Sequence, residues 1–429
     1  MTKDTKERII FLVVATVIIG TVLGFMAHAN ASTQNAEGNL SEQVTLAVAT
    51  DLHYLAPELT DQGTFFQKFI ENGDGKVVQY SEEVTEAFVE QIIDEKPSVV
   101  ILSGDITFNG EKQSHIRLVE KLQRIEDAGI PVLVMPGNHD MYSSNAASFH
   151  EDSYTFVESV SAEEFAEIYQ EFGFGEAISR DENSLSYIAE ITPSFRVLML
   201  DINTMDSPGT IKSATFAWAE QQLKQAKEDG ARVVTVSHQN VLQHNSLFSY
   251  GYLMGKNDFV QELYEEYDVI CNLSGHIHMQ HITESENGLP EIVTSSMIVS
   301  PNQYGVLKVK GTAADYHTVQ VDVAAWAKEN GKDNLQGFSD YSYTFMWDTA
   351  YRQAMNSLEG SENANLLSAF YADVNTAYFA GRMDEVKWDE ELLTGWKKQG
   401  GFIATYLQSI ADDGFKNHTE FSFDYKITP

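Results

Sequence analysis

Five apolar runs in this chain end, one after another, in aspartate, asparagine or histidine. Residues 47–50 lead into Asp51-Leu52-His53, and 99–103 into Gly104-Asp105. Residues 132–135 lead into Pro136-Gly137-Asn138-His139-Asp140, 233–237 into His238, and 270–274 into Gly275-His276-Ile277-His278. A sixth run, at 197–200, ends in Asp201. Each is short, rich in Val, Ile and Leu, and bounded by polar or turn residues, as buried strands are. Helical patterns lie between them. Residues 82–93 place Val84, Phe88, Ile92 and Ile93 near helical spacing, and Ser161-Ala162-Glu163-Glu164 is a capping box opening a helix with Phe165, Ile168 and Tyr169. Strands alternating with helices predict an α/β fold with a layered sheet. Ligands of such sheets bind at the carboxyl ends of the strands. One histidine there is often only a structural hydrogen-bonder, but five of the twelve sit at that edge.

The pattern changes after about residue 310, where apolar residues recur at helical spacing. Trp347, Tyr351, Met355 and Leu358 form one stripe, and Leu366, Phe370, Val374 and Tyr378 another. Trp388, Leu392 and Trp396 start a third, and Phe402, Tyr406 and Ile410 a fourth. Such stripes are the core faces of packed helices. The expected organisation is an α/β domain over 44–310 and a helical domain over 311–429.

Ahead of both, Lys3, Lys6 and Arg8 precede an uncharged run at 9–26 and two Ala-x-Ala sites at 27–31. This is the order of a secretory signal. The same run is long enough to span a membrane as an uncleaved anchor. The Ala-x-Ala sites favour cleavage. Either reading of 1–31, with a flexible leader at 32–43, puts the rest in a secreted protein or on the extracellular face of the membrane. Membrane contact would then run only through an uncleaved N-terminal segment.

Charge narrows the partners. Lys plus Arg is 28 against 63 for Asp plus Glu, a net −35, or −36 without residues 1–31. That field repels a nucleic-acid polymer, so none is expected as a partner. A small phosphate ester would need its own local positive charge, which metal ions supply. The single cysteine, Cys271, lies in an apolar run as an inert thiol and excludes both an intrachain disulfide and a Cys-rich zinc module. Carboxylate, amide oxygen and imidazole without thiolate suit two divalent ions such as Mn, Fe, Zn or Co. A bridging carboxylate holds such a pair roughly 3.5–4 Å apart.

Asp-x-His, Gly-Asp, Gly-Asn-His-Asp, a separate His and Gly-His-x-His, in this order over 51–278, resemble the calcineurin-like metallophosphoesterase superfamily. With the signal segment and the helical end, the chain resembles secreted bacterial class III cyclic-nucleotide phosphodiesterases. The resemblance implies an α/β/β/α sandwich with a C-terminal α-helical domain. It implies one metal at Asp51, His53 and His278, a second at Asn138, His238 and His276, and Asp105 bridging them. His139 would stand unligated beside the phosphate as the catalytic residue, where an imidazole can pass protons near neutral pH. Asp140 either orients that loop or is an ordinary turn carboxylate. His115 either faces the substrate or starts a helix in contact with water.

The chain departs from the family in places. Phe108 stands where purple acid phosphatases carry a tyrosine ligand, so no tyrosinate–iron chromophore is expected. The separate histidine reads His238-Gln239-Asn240 rather than the frequent His-His-Pro. No arginine follows closely after Asp140 to clamp phosphate. His244 and 247–254 either cover the site as a lid or pack on the C-terminal helices, and Asp201 either supports the site or caps a turn.

The expected activity is dimetal hydrolysis of phosphodiesters, with 3′,5′-cyclic nucleotides as the leading substrate. A phosphomonoesterase or nucleotidase is the alternative within the same chemistry. A non-catalytic extracellular metal-binding protein would have no reason to keep all seven ligands. A metal-dependent nuclease is opposed by the charge.

Overall fold

The computed structural model describes residues 42–358 and 360–427. The signal or anchor segment at 1–31 lies outside them, and so does most of the leader. The first strand, Gln43–Ala49, starts one residue inside the span read as leader.

Two sheets share a central core. One runs in the order Glu420–Asp424, Ala313–Gln320, Gln303–Lys310, Gln43–Ala49, Val99–Leu102, Val132–Val134. The other runs His281–Glu284, Pro290–Val293, Asn272–Ser274, Arg232–Ser237, Phe195–Leu200, Tyr187–Thr192, Ser179–Arg180. The strands read from apolar runs pair in parallel within each sheet, so their carboxyl ends share an edge. The run at 270–274 is a regular strand only over Asn272–Ser274, at its histidine end, while Ile270 and Cys271 still bond to the neighbouring strand.

Side-chain alternation builds the layers. Val197 and Met199 enter the core between the sheets, together with Val48, Ile101 and Leu307. Leu198 and Leu200 point the other way, onto Ala219 and Leu223 of helix Ser213–Asp229 and Val260 and Leu263 of helix Asn257–Glu266. Helices Ser81–Glu95 and Lys112–Asp127 cover the first sheet with Phe88, Leu118 and Leu122. The result is an α/β/β/α sandwich. Val84, Phe88 and Ile92 are fully buried as their spacing predicts, and the Ser161–Glu164 capping box forms at helix Ala162–Ile168.

Helices Phe338–Ser357, Ala364–Phe379, Glu390–Gln399 and Gly401–Asp413 build a second core. Phe370, Val374, Tyr378, Trp396, Tyr406 and Ile410 face it, whereas Leu366 and Phe402 are exposed. A strict four-residue repeat drifts off a 3.6-residue turn, so Leu367 takes the inward place beside Leu366.

The span 311–429 is not helical throughout. Ala313–Gln320 and Glu420–Asp424 complete the first sheet. Leu307 and Val309 point inward, Lys308 and Lys310 outward, and Gly311-Thr312 turns the hairpin with Gly311 at φ 63°. That is the period-two signature of a strand with one wet face, not an unbroken apolar run. Among the described residues no helix is long and apolar enough to cross a membrane.

Ending the chain after residue 310 would strip the strand paired along the whole of Gln303–Lys310 and leave an open sheet edge. Such a truncation is expected to be insoluble on expression. A soluble and active product would contradict this account.

Candidate metal centre

The parallel strands deliver their terminal residues to one place. Asp51, His53, Asp105 and His278 bring ligating atoms within 4.8 Å of one another, and so do Asp105, His238 and His276. Asp105 belongs to both groups. His278 Nε2 lies 3.2 Å from His53 Nε2 and 3.3 Å from Asp51 Oδ1. His238 Nε2 lies 3.2 Å from Asp105 Oδ2 and 3.2 Å from Asn138 Oδ1.

These residues fit divalent cations. Two imidazole nitrogens and a carboxylate oxygen aim their lone pairs at one point, and Asp51 Oδ1 is buried with no hydrogen-bond donor in good geometry. Only protons or a cation resolve that repulsion. In the group around His238 and His276 the outer nitrogens are already committed. His238 donates Nδ1–H to Ser103 O at 3.0 Å, which frees Nε2 to ligate. His276 donates Nε2–H to Gly251 O at 2.8 Å, which frees Nδ1.

Electrostatics point the same way. Burial alone would raise the carboxyls of Asp51 and Asp105, but His278 and His238 respectively hold them below the usual range. Burial holds His53 well below its ordinary value and His276 at about 4, so both rings are neutral, as ligands must be. Burial also pulls on His238, but Asp105 carries it up to about 9, so a cation must displace a proton there.

The backbone is strained where the ligands sit. Asp51, His53, Asp105, His276 and His278 have φ of 51°, 40°, 47°, 70° and 59°. Left-handed non-glycine residues cost of order 1–3 kcal/mol each and persist only where surroundings over-determine them. A Cβ on Gly137 would overlap Asp105, and one on Gly275 would overlap Thr50 and Asp51, so both turns require glycine.

His139 belongs to neither ligand group. Its backbone N–H donates to Asp105 Oδ1 at 2.8 Å. Its Nδ1 meets Asn109 Oδ1 at 3.0 Å, and its Nε2 stands 4.0 Å from Asp105 Oδ2 on a half-buried ring. Asp140 is no ordinary turn carboxylate. It is buried and accepts from Ile106 N, Thr107 N, Thr107 Oγ1 and Gly137 N, which joins the two metal loops. Burial, helped by the charge of Asp105, raises it to about 6. The expectation for His115 is corrected. It meets neither water nor the substrate side but supports the site from behind, because the first turn of its helix packs beneath the Asp140 loop. There it donates Nε2–H to Asp140 O and accepts from the Tyr169 hydroxyl, both at 2.9 Å.

Several supporting residues escape a reading of local sequence. Glu291, fully buried, accepts from Val241 N, Leu242 N, Asn272 Nδ2 and Ser274 Oγ, and so ties the loop after His238 to the strand before Gly275. Asn240 donates to Ser274 Oγ and Gly275 O across the same gap. Gln239 and Asn203 exchange amide hydrogen bonds while Asp201 accepts from Asn203 N, so Asp201 both caps its turn and supports the His238 loop. A lone glutamate inside the apolar strand Pro290–Val293 was the one available signal.

The helical part reaches the site. Ile277 and Met279, alternating with His276 and His278, are buried in its core. Leu247, Phe248 and Tyr252 pack on that core as well, while Gly251 in the same segment holds His276. The segment 247–254 therefore packs on the helices and touches the site together. A separate group at the junction, His281, Asp413 and His418, is closed internally. His281 Nε2–H donates to Asp413 Oδ2 at 2.7 Å, His244 Nδ1 meets His281 Nδ1 at 3.0 Å, and Ile282 N donates to His418 Nδ1 at 3.1 Å.

Comparison with known proteins agrees with this geometry. The family model for calcineurin-like phosphoesterases matches residues 44–280. The model for the C-terminal domain of cyclic nucleotide phosphodiesterase matches residues 322–417. No curated protein sequence matches the chain. Similar solved structures include a dimetal phosphatase from Danio rerio, with 14% identity, a TM-score of 0.47, and coverage of 65% of this chain and 97% of that one. A purple acid phosphatase from yellow lupin (Lupinus luteus) seeds has 14% identity and a TM-score of 0.45, over 66% of this chain and 52% of that one.

Because Asp105 serves both groups, Asp105→Ala should abolish paired metal binding without unfolding the chain. Elemental analysis should fall from about two ions per chain to one or none, with an unchanged circular dichroism spectrum. Two retained ions would show that Asp105 is not the bridge.

Proposed function

The chain belongs to the calcineurin-like phosphoesterase family, and from that premise we propose that it is a dimetal phosphodiesterase with 3′,5′-cyclic nucleotides as its leading substrates. The observation that carries the reading is the pair of ligand groups sharing Asp105, with His139 beside them and outside both. The diester preference is supported by the match of 322–417 to the C-terminal domain of cyclic nucleotide phosphodiesterase. Export is part of the proposal and rests on the sequence of residues 1–31. The partner is a small phosphate ester, since a net charge near −35 opposes nucleic-acid polymers.

In this reading Asp51, His53 and His278 hold one ion, Asn138, His238 and His276 the other, and Asp105 both. The chemistry two bound divalent ions supply is polarisation of phosphoryl oxygens and activation of water. The protein's own residues do the rest. Asn109 accepts the Nδ1–H of His139 and fixes the ring, which leaves Nε2 to face the substrate. A proton on Nε2 passes to the departing ester oxygen. Asp140 holds the loops of Asp105 and Asn138 in one geometry, so the two clusters and His139 keep their spacing. A lapsed, purely metal-binding protein has no use for a histidine oriented outside both ligand sets.

With added Mn²⁺, the chain from residue 32 should hydrolyse bis-(p-nitrophenyl) phosphate faster than p-nitrophenyl phosphate. Faster monoester turnover would make it a phosphatase or nucleotidase, and no turnover of either by metal-loaded protein would mean a very selective site or a binding protein. His139→Ala should keep its ions and lose roughly 10²–10⁴ in rate. An ion lost from that variant would place His139 among the ligands instead.

A further inference from the structure

Beside His139 the surface opens into a cavity of about 380 Å³, within the range of small-molecule sites. Phe69 and Phe108 give it apolar walls, Asp74 and Lys76 give it charge, and Asn109 and His139 connect it to the metal centre. Phe69 is 44% exposed although it is a large aromatic on an acidic protein. Its ring meets Phe108 edge-on at 6.5 Å. Lys76 is mostly buried, with Nζ 3.1 Å from Asp74 Oδ2.

The segment that carries these residues is held from the helical part. Arg352 donates to Glu71 O at 2.8 Å, and Gly75 lies against Met346. The C-terminal helices thus fix the cavity's outer segment as well as the loop of His276.

We propose that this cavity binds the nucleobase of the substrate against the exposed ring of Phe69, beside Phe108, with Asp74 and Lys76 as its hydrogen-bonding partners. The inference rests on the phosphodiesterase reading, because it takes the phosphate at the ligand clusters and the departing oxygen at His139. In a 3′,5′-cyclic nucleotide both ester oxygens belong to one nucleoside, so the sugar and base must leave the clusters on the side of His139. The cavity sharing His139 and Asn109 is the space on that side. A planar base suits aromatic walls, which bind any base through its π-face. The Asp74 carboxylate accepts from ring or exocyclic N–H groups, and Lys76 donates to ring nitrogen or carbonyl oxygen. Lys76 also brings a positive charge to the phosphate side, where no arginine follows Asp140.

The test compares 5′-AMP with ribose 5-phosphate, which share sugar and phosphate and differ in the base. Calorimetry on the Mn²⁺-loaded full chain should show 5′-AMP binding at least about tenfold more tightly. Phe69→Ala should bring that ratio close to one. Equal affinities in the wild type, undetectable 5′-AMP binding, or a ratio that survives Phe69→Ala would each overturn the proposal. The readout is binding alone, so a failed phosphodiesterase reading would show instead as lost diester turnover with the base preference intact.

Discussion

Asp105 is a buried carboxylate flanked by other buried charges, and the architecture of the site follows from that. Asp51 and Asp140 lie close by, also buried, and five imidazoles crowd the same edge. Burying such groups without compensation costs several kcal/mol each. A cation pair offsets that cost, and the convergent lone pairs of His53, His278 and Asp51 point to where one ion belongs. The same demand for closeness explains why Gly137 and Gly275 cannot carry a side chain, and why five ligand residues adopt left-handed backbone.

Strained loops need rigid surroundings, and two sources supply them. Polar clamps do it from within the sandwich: Asp140 spans the loops at 106–107 and 137, and Glu291 spans those at 241–242 and 272–274. The helical part does it from outside. Alternate residues of 276–279 serve two masters, with the histidines on the metal side and Ile277 and Met279 in the helical core. The C-terminal helices therefore hold ligands in place, and the two parts of the chain work as one scaffold.

Much of this was legible in the sequence because buried parallel strands are written as unbroken apolar runs with polar punctuation at their ends. That punctuation is where the seven residues read as metal ligands and His139 lie, and the structure brings all of them together. The hairpin of Gln303–Lys310 and Ala313–Gln320 escaped because its signal alternates instead of running on. His115 misled because a helix start normally meets water, whereas this one packs under a loop. Asp201 stood out at its strand end and Glu291 only as a lone glutamate in an apolar strand, while Asn240 and the Asn203–Gln239 pair had no local pattern at all. Their partners lie far along the chain, and only the packed sheets bring them near.

The central claim is a pair of ions joined through Asp105. Anomalous diffraction at the manganese edge, from crystals grown with Mn²⁺, tests it most directly. The account predicts two peaks roughly 3.5–4 Å apart, with Asp105 touching both and His139 touching neither. A single peak, or two peaks of which Asp105 reaches only one, would contradict it.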